Sequence, residues 1–305
     1  MFSDQAQVTV GDLDIEPAQV RVSDGHTLTR GQCVFQGGRR VHLRQLQVDE
    51  KWIHEITRRK ILFDQDAFTR KTFEEPEAAK KDLLSAVEAY LGKDYDIATH
   101  FTPRYRPWRQ RIAFIPDGDL FQGIKSGKAS VVTDEIDRFT EKGILLKSGK
   151  ELEADIIVTA TGFHLCANGD IEFAIDGKPL DFADTVTYRG MMFTGVPNLV
   201  WVFGYFRASW TLRVDLVADF VCRLLTHMKE TGARKVTPQL RPEDHNMPLL
   251  PWIDPENFNP GYMMRGMHLL PKRGEKPEWQ HNQDYWAEKD EFPAIDLKDK
   301  AFVYG

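Results

Sequence analysis

The sequence predicts an α/β fold with β-meanders and a loop-rich C-terminal wrap. Strand-like runs cluster between residues 130 and 160, and an apolar stripe at helical spacing crosses 217–228. The last 70 residues hold nine of the 16 prolines and little periodicity. The length of 305 residues allows about two domains at roughly 100–200 residues each. With 42% hydrophobic and 28% charged residues, the composition excludes a disordered or low-complexity chain.

The charge balance excludes two classes of partner. Forty Lys and Arg against 46 Asp and Glu give a net charge of −6, whereas nucleic acids and anionic membranes call for a basic face. The most apolar run, 190–206, is shorter than a typical span of about 20 residues and contains Pro197 and Asn198. We therefore predict no nucleic-acid partner and no integral membrane association, and interpret 190–206 as containing a buried strand.

Cysteine and histidine spacing argues against disulfide and metal chemistry. Cys33, Cys166 and Cys222 form no C-x-x-C pair, and the nine histidines show no H-E-x-x-H spacing. A G-x-S-x-G motif for a hydrolase is absent, and the first residues do not resemble a signal peptide. We expect a cytoplasmic protein with no metal site.

The N-terminal half begins with strands and continues with helices. Alternating apolar residues predict short strands within 7–38, and WIHEITRRK predicts a short helix over 52–60. Pro76 at a first-turn position and Gly92 as a stop delimit a second helix between them. Asp119 is a candidate cap for a helical piece that ends the loop-rich stretch 94–128.

The second half alternates strands with one long helix. A helix follows from Val217, Phe220, Leu224 and Met228 at helical spacing, and ends near Gly232. The predicted strands are 130–133, 135–139, 143–147, 156–160, 171–175 and 198–206.

Residues 19–38 and 143–162 match at a constant offset of 124. In each copy an alternating strand leads through a glycine turn into a second strand and then into a β run ending at glycine. One interpretation is that any β-hairpin gives this pattern. The other is that both copies are the β-meander that closes a dinucleotide-binding domain. The second copy is the better one, because Asp155 leads the apolar run and Thr161-Gly162 follow it.

Four long segments in order resemble a family of flavoenzymes. They are HFTPRYRPWRQRIAFIPDGDLF (100–121), VVTDEIDRFTEKGILLKSGKELEADIIVTATGF (131–163), YRGMMFTGVPNLVWVFGYFRASWTLRVDLVADFVCRLL (188–225) and FNPGYMMRGMHLLPKRG (258–274). From about residue 52 to the end, the chain resembles a flavin-containing monooxygenase, and more closely a Baeyer–Villiger monooxygenase of the 4-hydroxyacetophenone type. The resemblance implies two Rossmann-like domains, bound FAD and reduction by NADPH. It also implies insertion of one oxygen atom of O2 beside a ketone carbonyl or onto sulfur, with a small-molecule ketone or sulfide as substrate.

Arg111 in PWRQRIAF matches the position of the family's catalytic arginine. An arginine is always charged and offers a fork of donors, so it can stabilise an oxygen that carries negative charge during the attack on the carbonyl. It can also contact the nicotinamide or its phosphates. The alternative is a surface salt bridge.

The resemblance assigns cofactor contacts to two segments. Thr161, Gly162 and Phe163 match the second Ala-Thr-Gly motif, where the two domains and the flavin meet in the family. Residues 204–211 match the strand-to-helix turn that faces the flavin ring, where a helix starting at Ser209 to Thr211 aims free N–H groups at the flavin carbonyl edge. The predicted contacts in that turn are Gly204, Ser209, Trp210 and Thr211.

Aromatic residues make up 11% of the chain and supply candidates for a ketone pocket. Trp108, Tyr105 and Phe206 are the predicted lining residues, with plain core packing as the alternative.

The G-x-G-x-x-G fingerprint, which cradles a pyrophosphate at a helix N-terminus, does not occur in these 305 residues. The family carries one for FAD and one for NADPH. We therefore predict an incomplete two-dinucleotide-binding-domain flavoprotein fold, equivalent to the C-terminal half of a monooxygenase joined to a remnant. We expect weak or no FAD binding by the isolated chain and no independent activity.

This incompleteness leaves a second hypothesis open. In this hypothesis the chain is a non-catalytic subunit or remnant that pairs with a complementing chain, and that chain supplies the Rossmann motifs. A homo-oligomer is a further alternative. The predicted segments are a meander remnant over 1–50, a helical and loop segment over 51–130, a meander with a flavin-facing strand–helix unit over 131–235, and the C-terminal wrap over 236–305.

Overall fold

A computed structural model describes residues 7–10, 43–113 and 115–305. The first copy of the sequence repeat, 19–38, lies outside the described residues. The α-helices are α1 (Glu50–Glu74), α2 (Pro76–Leu91), α3 (Ile97–Phe101), α4 (Asp119–Lys125), α5 (Trp210–Thr231), α6 (Gly261–Gly266) and α7 (Tyr285–Glu291).

The β-strands are short. They are β1 (Gln7–Val10), β2 (Ala129–Val132), β3 (Ile136–Phe139), β4 (Gly143–Leu146), β5 (Glu151–Glu153), β6 (Ala174–Ile175), β7 (Lys178–Pro179), β8 (Thr187–Tyr188), β9 (Met192–Phe193), β10 (Val236–Pro238), β11 (Leu250–Pro251), β12 (Lys272–Arg273) and β13 (Phe302–Tyr304). Helices and sheets are both present, as an α/β prediction requires. Within the described residues, the ladders between these strands are antiparallel.

The chain divides into two compact units by its internal contacts. The first comprises residues 1–108 and 112–161, and the second comprises 109–111 and 162–305. The four-segment division drawn from the sequence stays a prediction.

A helical pair, α1 and α2, dominates the first unit. Asp49 caps α1 by accepting a hydrogen bond from the backbone N–H of Lys51, and Pro76 opens α2. The sequence predicts only a short helix over 52–60, whereas α1 continues to Glu74. The extension contains no proline or glycine, and ion pairs one turn apart support it. These pairs are Arg59–Glu55, Lys60–Asp64 and Arg70–Asp66.

A three-stranded antiparallel meander, β3-β4-β5, forms the second part of the first unit. It confirms the strands predicted near 135–139 and 143–147, and β2 confirms the strand near 130–133. Phe121 on α4 is buried and stacks on Tyr90 of α2 with ring centroids 5.0 Å apart. The predicted helical piece is present, but Asp119 is its first residue and not its cap, because Gly118 is the N-cap residue.

The predicted buried strand over 156–160 is wrong. Residues 156–160 pair with none of the described strands, and Ile156 and Val158 are 81% and 82% exposed. A run of apolar β-branched residues is buried as a strand only when neighbouring strands flank it on both sides. The described residues of the first unit supply no such neighbours.

Helix α5 organises the second unit. Its apolar stripe, which includes Val217, Phe220 and Leu224, is buried against the aromatic residues Tyr188 and Phe302 and their neighbours. Gly232 takes the left-handed conformation, with φ of 76°, that ends a helix. Both features confirm the predicted helix.

The predicted strand over 198–206 is only half right. Phe203, Tyr205 and Phe206 are buried, as the apolar run predicts, but 198–206 joins no strand ladder in the described part of the chain. The predicted strand over 171–175 shortens to Ala174–Ile175. Residues in 198–206 are therefore buried by the packing of aromatic side chains and not by strand pairing.

The C-terminal residues pack closely despite their short elements. Trp252, Phe258 and Trp279 are 2% exposed or less, and β13 pairs with β10. In the part of the chain that the structure describes, none of the helices combines the length and apolar character needed to cross a membrane.

Candidate functional site

The turn that leads into α5 is packed tightly around Gly204. A Cβ atom on Gly204 would lie 2.2 Å from Cγ and 2.7 Å from Cα of Trp210. Phe203 contacts the same indole, with ring centroids 4.8 Å apart. The glycine therefore allows the chain to return against the first residue of α5.

Helix α5 begins where the sequence predicts, with Ser209 as its N-cap residue. The Ser209 side chain accepts no hydrogen bond from the helix; its Oγ lies 2.8 Å from Oγ1 of Thr211 instead. Trp210 and Thr211 are exposed at this end. The N–H group of Leu212 donates to the carbonyl oxygen of Ser209 at 3.3 Å. The N–H groups of Trp210 and Thr211 keep their capacity to donate, at the positive end of the helix dipole.

A buried ion pair, Arg213–Glu288, contacts this turn. The guanidinium of Arg213 on α5 donates from Nε to Oε2 of Glu288 at 2.9 Å and from Nη2 to Oε1 at 3.1 Å. Arg213 is 0% and Glu288 1% exposed. The hydroxyl of Tyr205 donates to the same Oε2 at 2.6 Å. A bidentate pair with a third donor satisfies both charges.

The same arginine fixes the backbone of the turn. Its Nη1 donates to the carbonyl oxygens of Phe203 at 2.9 Å and Gly190 at 3.3 Å. Burial raises the pKa of Glu288, while Arg213 and Tyr205 oppose that rise by stabilising the carboxylate. Burial and the neighbouring carboxylate raise the pKa of Tyr205, so its phenol stays a donor.

Aromatic rings fill the space beside the turn. Phe206 is 5% exposed and stacks on Phe258 at 4.3 Å, and the imidazole of His281 stacks on Trp252 at 4.6 Å. Burial, and then the charge of Arg213, hold the pKa of His281 well below its usual range. The imidazole is therefore neutral near pH 7 and belongs to the aromatic cluster.

Arg111 is exposed and anchored at one atom. Its Nε donates to the hydroxyl of Tyr262 at 3.0 Å, and the side chain is otherwise exposed. The loop before Tyr262 also holds Phe258, which stacks on Phe206. Helix α6 therefore contacts the predicted catalytic arginine, and the loop that leads into α6 contacts the turn before α5.

Two residues of the Ala-Thr-Gly segment belong to the second unit. Gly162 is exposed, with φ of 100°, and Phe163 is 84% exposed. The carbonyl oxygen of Phe163 accepts a hydrogen bond from Nη2 of Arg265 at 3.1 Å. The segment is thus held by its backbone while the Phe163 ring extends into solvent.

The other predicted residues belong to the first unit. Trp108 is 8% exposed and has a positive φ of 63°, Tyr105 is half-buried and Thr161 is exposed. Their predicted roles, like those of the residues in the second unit, stay predictions.

Known proteins resemble this chain over most of its length. "FAD-containing monooxygenase EthA" of Mycolicibacterium smegmatis is 46% identical over 211 residues, which is 69% of this chain and 42% of that protein. EthA of Mycobacterium tuberculosis strain H37Rv is 45% identical over 210 residues, with the same two shares. "Probable FAD-binding monooxygenase AlmA" of Acinetobacter baylyi is 40% identical over 240 residues, which is 79% of this chain and 47% of that protein.

The chain is similar to FAD-containing monooxygenases. It spans less than half the length of these curated relatives. No protein-family model matches it. The similarity supports the flavin-monooxygenase part of the sequence-based resemblance.

Sequence reasoning missed Arg213, Glu288 and Tyr262. Arg213 lies four residues before Val217 and seven before Phe220, so it falls on the apolar stripe of α5. A charge on a predicted buried face is a detectable signal. Glu288 and Tyr262 carry no comparable signal, because they lie in short elements of mixed composition.

We expect the substitution Gly204→Ala to lower the free energy of unfolding by about 1–3 kcal/mol, because the new methyl group overlaps Trp210 and forces the start of α5 to move. Thermal or urea unfolding measures this loss. Gly123→Ala is the matched control. Gly123 lies in α4, and a Cβ atom there would have only the Cβ of Ala129 as a close neighbour, at 3.4 Å. Equal stability of the two variants would contradict the close approach at Gly204.

Proposed function

We propose that this chain forms part of a Baeyer–Villiger-type flavin monooxygenase that uses NADPH and O2 to insert oxygen beside a ketone carbonyl or onto sulfur. The 46% identity over 211 residues to an FAD-containing monooxygenase carries this proposal. The 4-hydroxyacetophenone type is the proposed subgroup. FAD, when bound, accepts electrons from NADPH and activates O2.

The residues predicted to contact the flavin are the proposed binding site for one edge of its ring. The first turn of α5 offers N–H groups that the Ser209 side chain does not cap, and Gly204 lets the preceding backbone approach Trp210. At Gly162 the nearest heavy atom to a built Cβ is Nη2 of Arg265 at 4.0 Å, which leaves room for a planar group to approach the backbone. Thr161 and Phe163 flank that glycine, and Thr211 stands at the start of α5.

The pyrophosphate of FAD has no comparable cradle in this sequence, because G-x-G-x-x-G does not occur in it. We therefore propose that the 305 residues alone bind FAD weakly or not at all and do not turn over. Segments outside these residues would supply the phosphate contacts for FAD and NADPH.

Arg111 is the proposed catalytic residue. Tyr262 orients its Nε, and the exposed terminal nitrogens can donate to an oxygen that gains negative charge during attack on the carbonyl. Its permanent charge serves this role at any physiological pH. Trp108, Tyr105 and Phe206 are the proposed aromatic lining of the ketone or sulfide pocket.

A second candidate function is a non-catalytic subunit that pairs with a chain supplying the Rossmann motifs. The exposed apolar residues Ile156 and Val158, in a segment that joins none of the described strand ladders, favour this candidate. Such a segment can add to the edge of a partner's sheet, which would bury both side chains.

One experiment separates the two candidates. The chain is mixed with FAD, NADPH and an aryl ketone, with and without the N-terminal half of a homologous monooxygenase. We expect flavin absorbance and ketone-dependent NADPH oxidation only in the mixture with the added half. The substitution Arg111→Ala should abolish the oxidation, whereas Arg138→Ala, at an exposed ion pair of the meander, should preserve it.

One outcome would oppose the enzyme proposal, and another would oppose the proposed incompleteness. Flavin binding by the mixture without NADPH consumption on any ketone or sulfide would favour the non-catalytic subunit. Stoichiometric flavin in the chain alone would overturn the proposed incompleteness.

A further inference from the structure

Helix α1 exposes an apolar face. Trp52, Ile56 and Phe63 are 59%, 46% and 61% exposed, while Ile53 and Thr57 on the opposite side are buried. Soluble proteins scatter single apolar residues over their surface, but several large apolar side chains exposed on one helix face indicate a contact surface.

The exposed residues follow a regular spacing of four and three. Such spacing keeps every member on one side of a helix. We call this row the α1 seam: Trp52, Ile56, Arg59, Phe63, Asp66, Arg70 and Phe73. Because α1 has 25 residues, it is about 37 Å long and the seam covers most of it.

The seam is nearly palindromic in its chemistry. Phe63 stands at its centre, Arg59 and Asp66 lie on either side of that ring, and the aromatic residues Trp52 and Phe73 are at the two ends. The remaining pair, Ile56 and Arg70, does not match, but the aliphatic stem of an arginine can pack on an isoleucine. A twofold rotation about the centre of such a surface places similar residues opposite each other and each positive charge opposite a negative one. The surface is therefore complementary to a second copy of itself.

We propose that a second copy of this chain packs its α1 seam antiparallel against the first, about a twofold axis close to Phe63. In this arrangement the two Phe63 rings meet at the axis, and Arg59 of each copy lies opposite Asp66 of the other. A parallel arrangement would instead place Arg59 and Asp66 each against its own like charge, which is unfavourable.

The charges of the seam also argue against an apolar occupant. Arg59 pairs with Glu55 of its own helix at 2.6 Å, and Asp66 pairs with Arg70. A lipid surface or a purely apolar partner helix would desolvate these groups without compensating them. In a second copy turned about the axis, Arg59 gains Asp66 of the other copy as a second carboxylate. Arg70 keeps its pair with Asp66 of its own helix, and its aliphatic stem packs on Ile56 of the other copy.

The mass of the chain in solution tests the dimer. Light scattering over a concentration series should give twice 35.1 kDa, falling to the monomer on dilution. The substitution Phe63→Glu puts two carboxylates together at the axis, so we expect its dissociation constant to rise at least tenfold. Leu225→Glu is the matched control, because Leu225 is 59% exposed on α5 and lies outside the seam.

A charge exchange tests the orientation. R59D and D66R should each weaken the dimer at least tenfold, and the double variant R59D/D66R should restore it, because the opposite charges face each other again. Circular dichroism shows that the variants stay helical. A monomer at all concentrations, a dimer indifferent to F63E, or single variants that the double fails to rescue would each overturn the proposal.

Discussion

Replacing Arg213 with methionine is expected to lower the free energy of unfolding by about 3–5 kcal/mol, the cost of leaving a buried carboxylate without its counter-ion. Glu288 would lose both charge-assisted hydrogen bonds, at 2.9 and 3.1 Å, and retain only the Tyr205 hydroxyl. The carbonyl oxygen of Phe203 would lose its donor at the same time. Urea unfolding followed by circular dichroism measures the change.

The expected loss includes the cost of leaving the Glu288 carboxylate buried and unpaired. A double-mutant cycle is therefore needed to isolate the interaction energy between Arg213 and Glu288. We expect Arg213→Met and Glu288→Gln together to cost clearly less than the two single variants added, because the double variant buries no unpaired charge. Lys229→Met is the matched control on an exposed position of the same helix, with an expected change within about 0.5 kcal/mol. A loss below 1 kcal/mol for Arg213→Met would contradict a structural role for the ion pair.

The helices were the most predictable elements, since their signals are local. Val217, Phe220 and Leu224 recur at the helical period, and Gly232 marks the end by its left-handed conformation. Ser209 precedes the first apolar turn and proved to be the N-cap residue. Each of these signals involves residues within a few positions of one another.

Strands within 156–160 and 198–206 could not be predicted in the same way. An apolar run indicates that its residues prefer to be buried. Whether the run forms a strand depends on neighbouring strands from other parts of the chain, which the run itself does not specify. Ile156 and Val158 lack such neighbours among the described residues and are exposed. Phe203 found burial in an aromatic cluster instead of a sheet.

The family resemblance pointed to the turn before α5 but not to the polar contacts that fix its backbone. Arg213 is separated from Glu288 by 75 positions, and no local pattern links the two. The contact of Arg111 with Tyr262 spans 151 positions. Long-range polar contacts of this kind follow from the folded topology, so the sequence gives the candidate atoms and the structure gives their partners.

The second large effect is expected at Asp244, whose replacement by alanine should cost about 2–4 kcal/mol. Asp244 is 0% exposed and joins the C-terminal segments to one another. Its carboxylate accepts hydrogen bonds from Nε of Arg241 at 2.6 Å, from Nε1 of Trp279 at 2.8 Å and from Lys276. Without it, the indole and the guanidinium lose their acceptor.

Stability should also depend on pH through this carboxyl group. Burial by itself would raise the pKa of Asp244, but the hydrogen bonds from Arg241, Lys276 and Trp279 outweigh it and hold the pKa below its usual range. An unfolded aspartate has a pKa of about 3.9, so the unfolded chain takes up the proton first as the pH falls. The contribution of Asp244 is therefore fully present above about pH 4 and is lost as the pH falls toward the folded-state pKa.

The variant Asp244→Asn tests this linkage, because it keeps the shape of the side chain and removes its titration. We expect the difference in unfolding free energy between the native chain and Asp244→Asn to be constant from pH 5 to 7 and to shrink below about pH 4. Asp290→Asn is the matched control, since Asp290 is 77% exposed in its pair with Lys289 and should change stability little at any pH. A difference that stays unchanged down to pH 3 would show that hydrogen-bond geometry at Asp244, rather than its charge, stabilises the C-terminal segments.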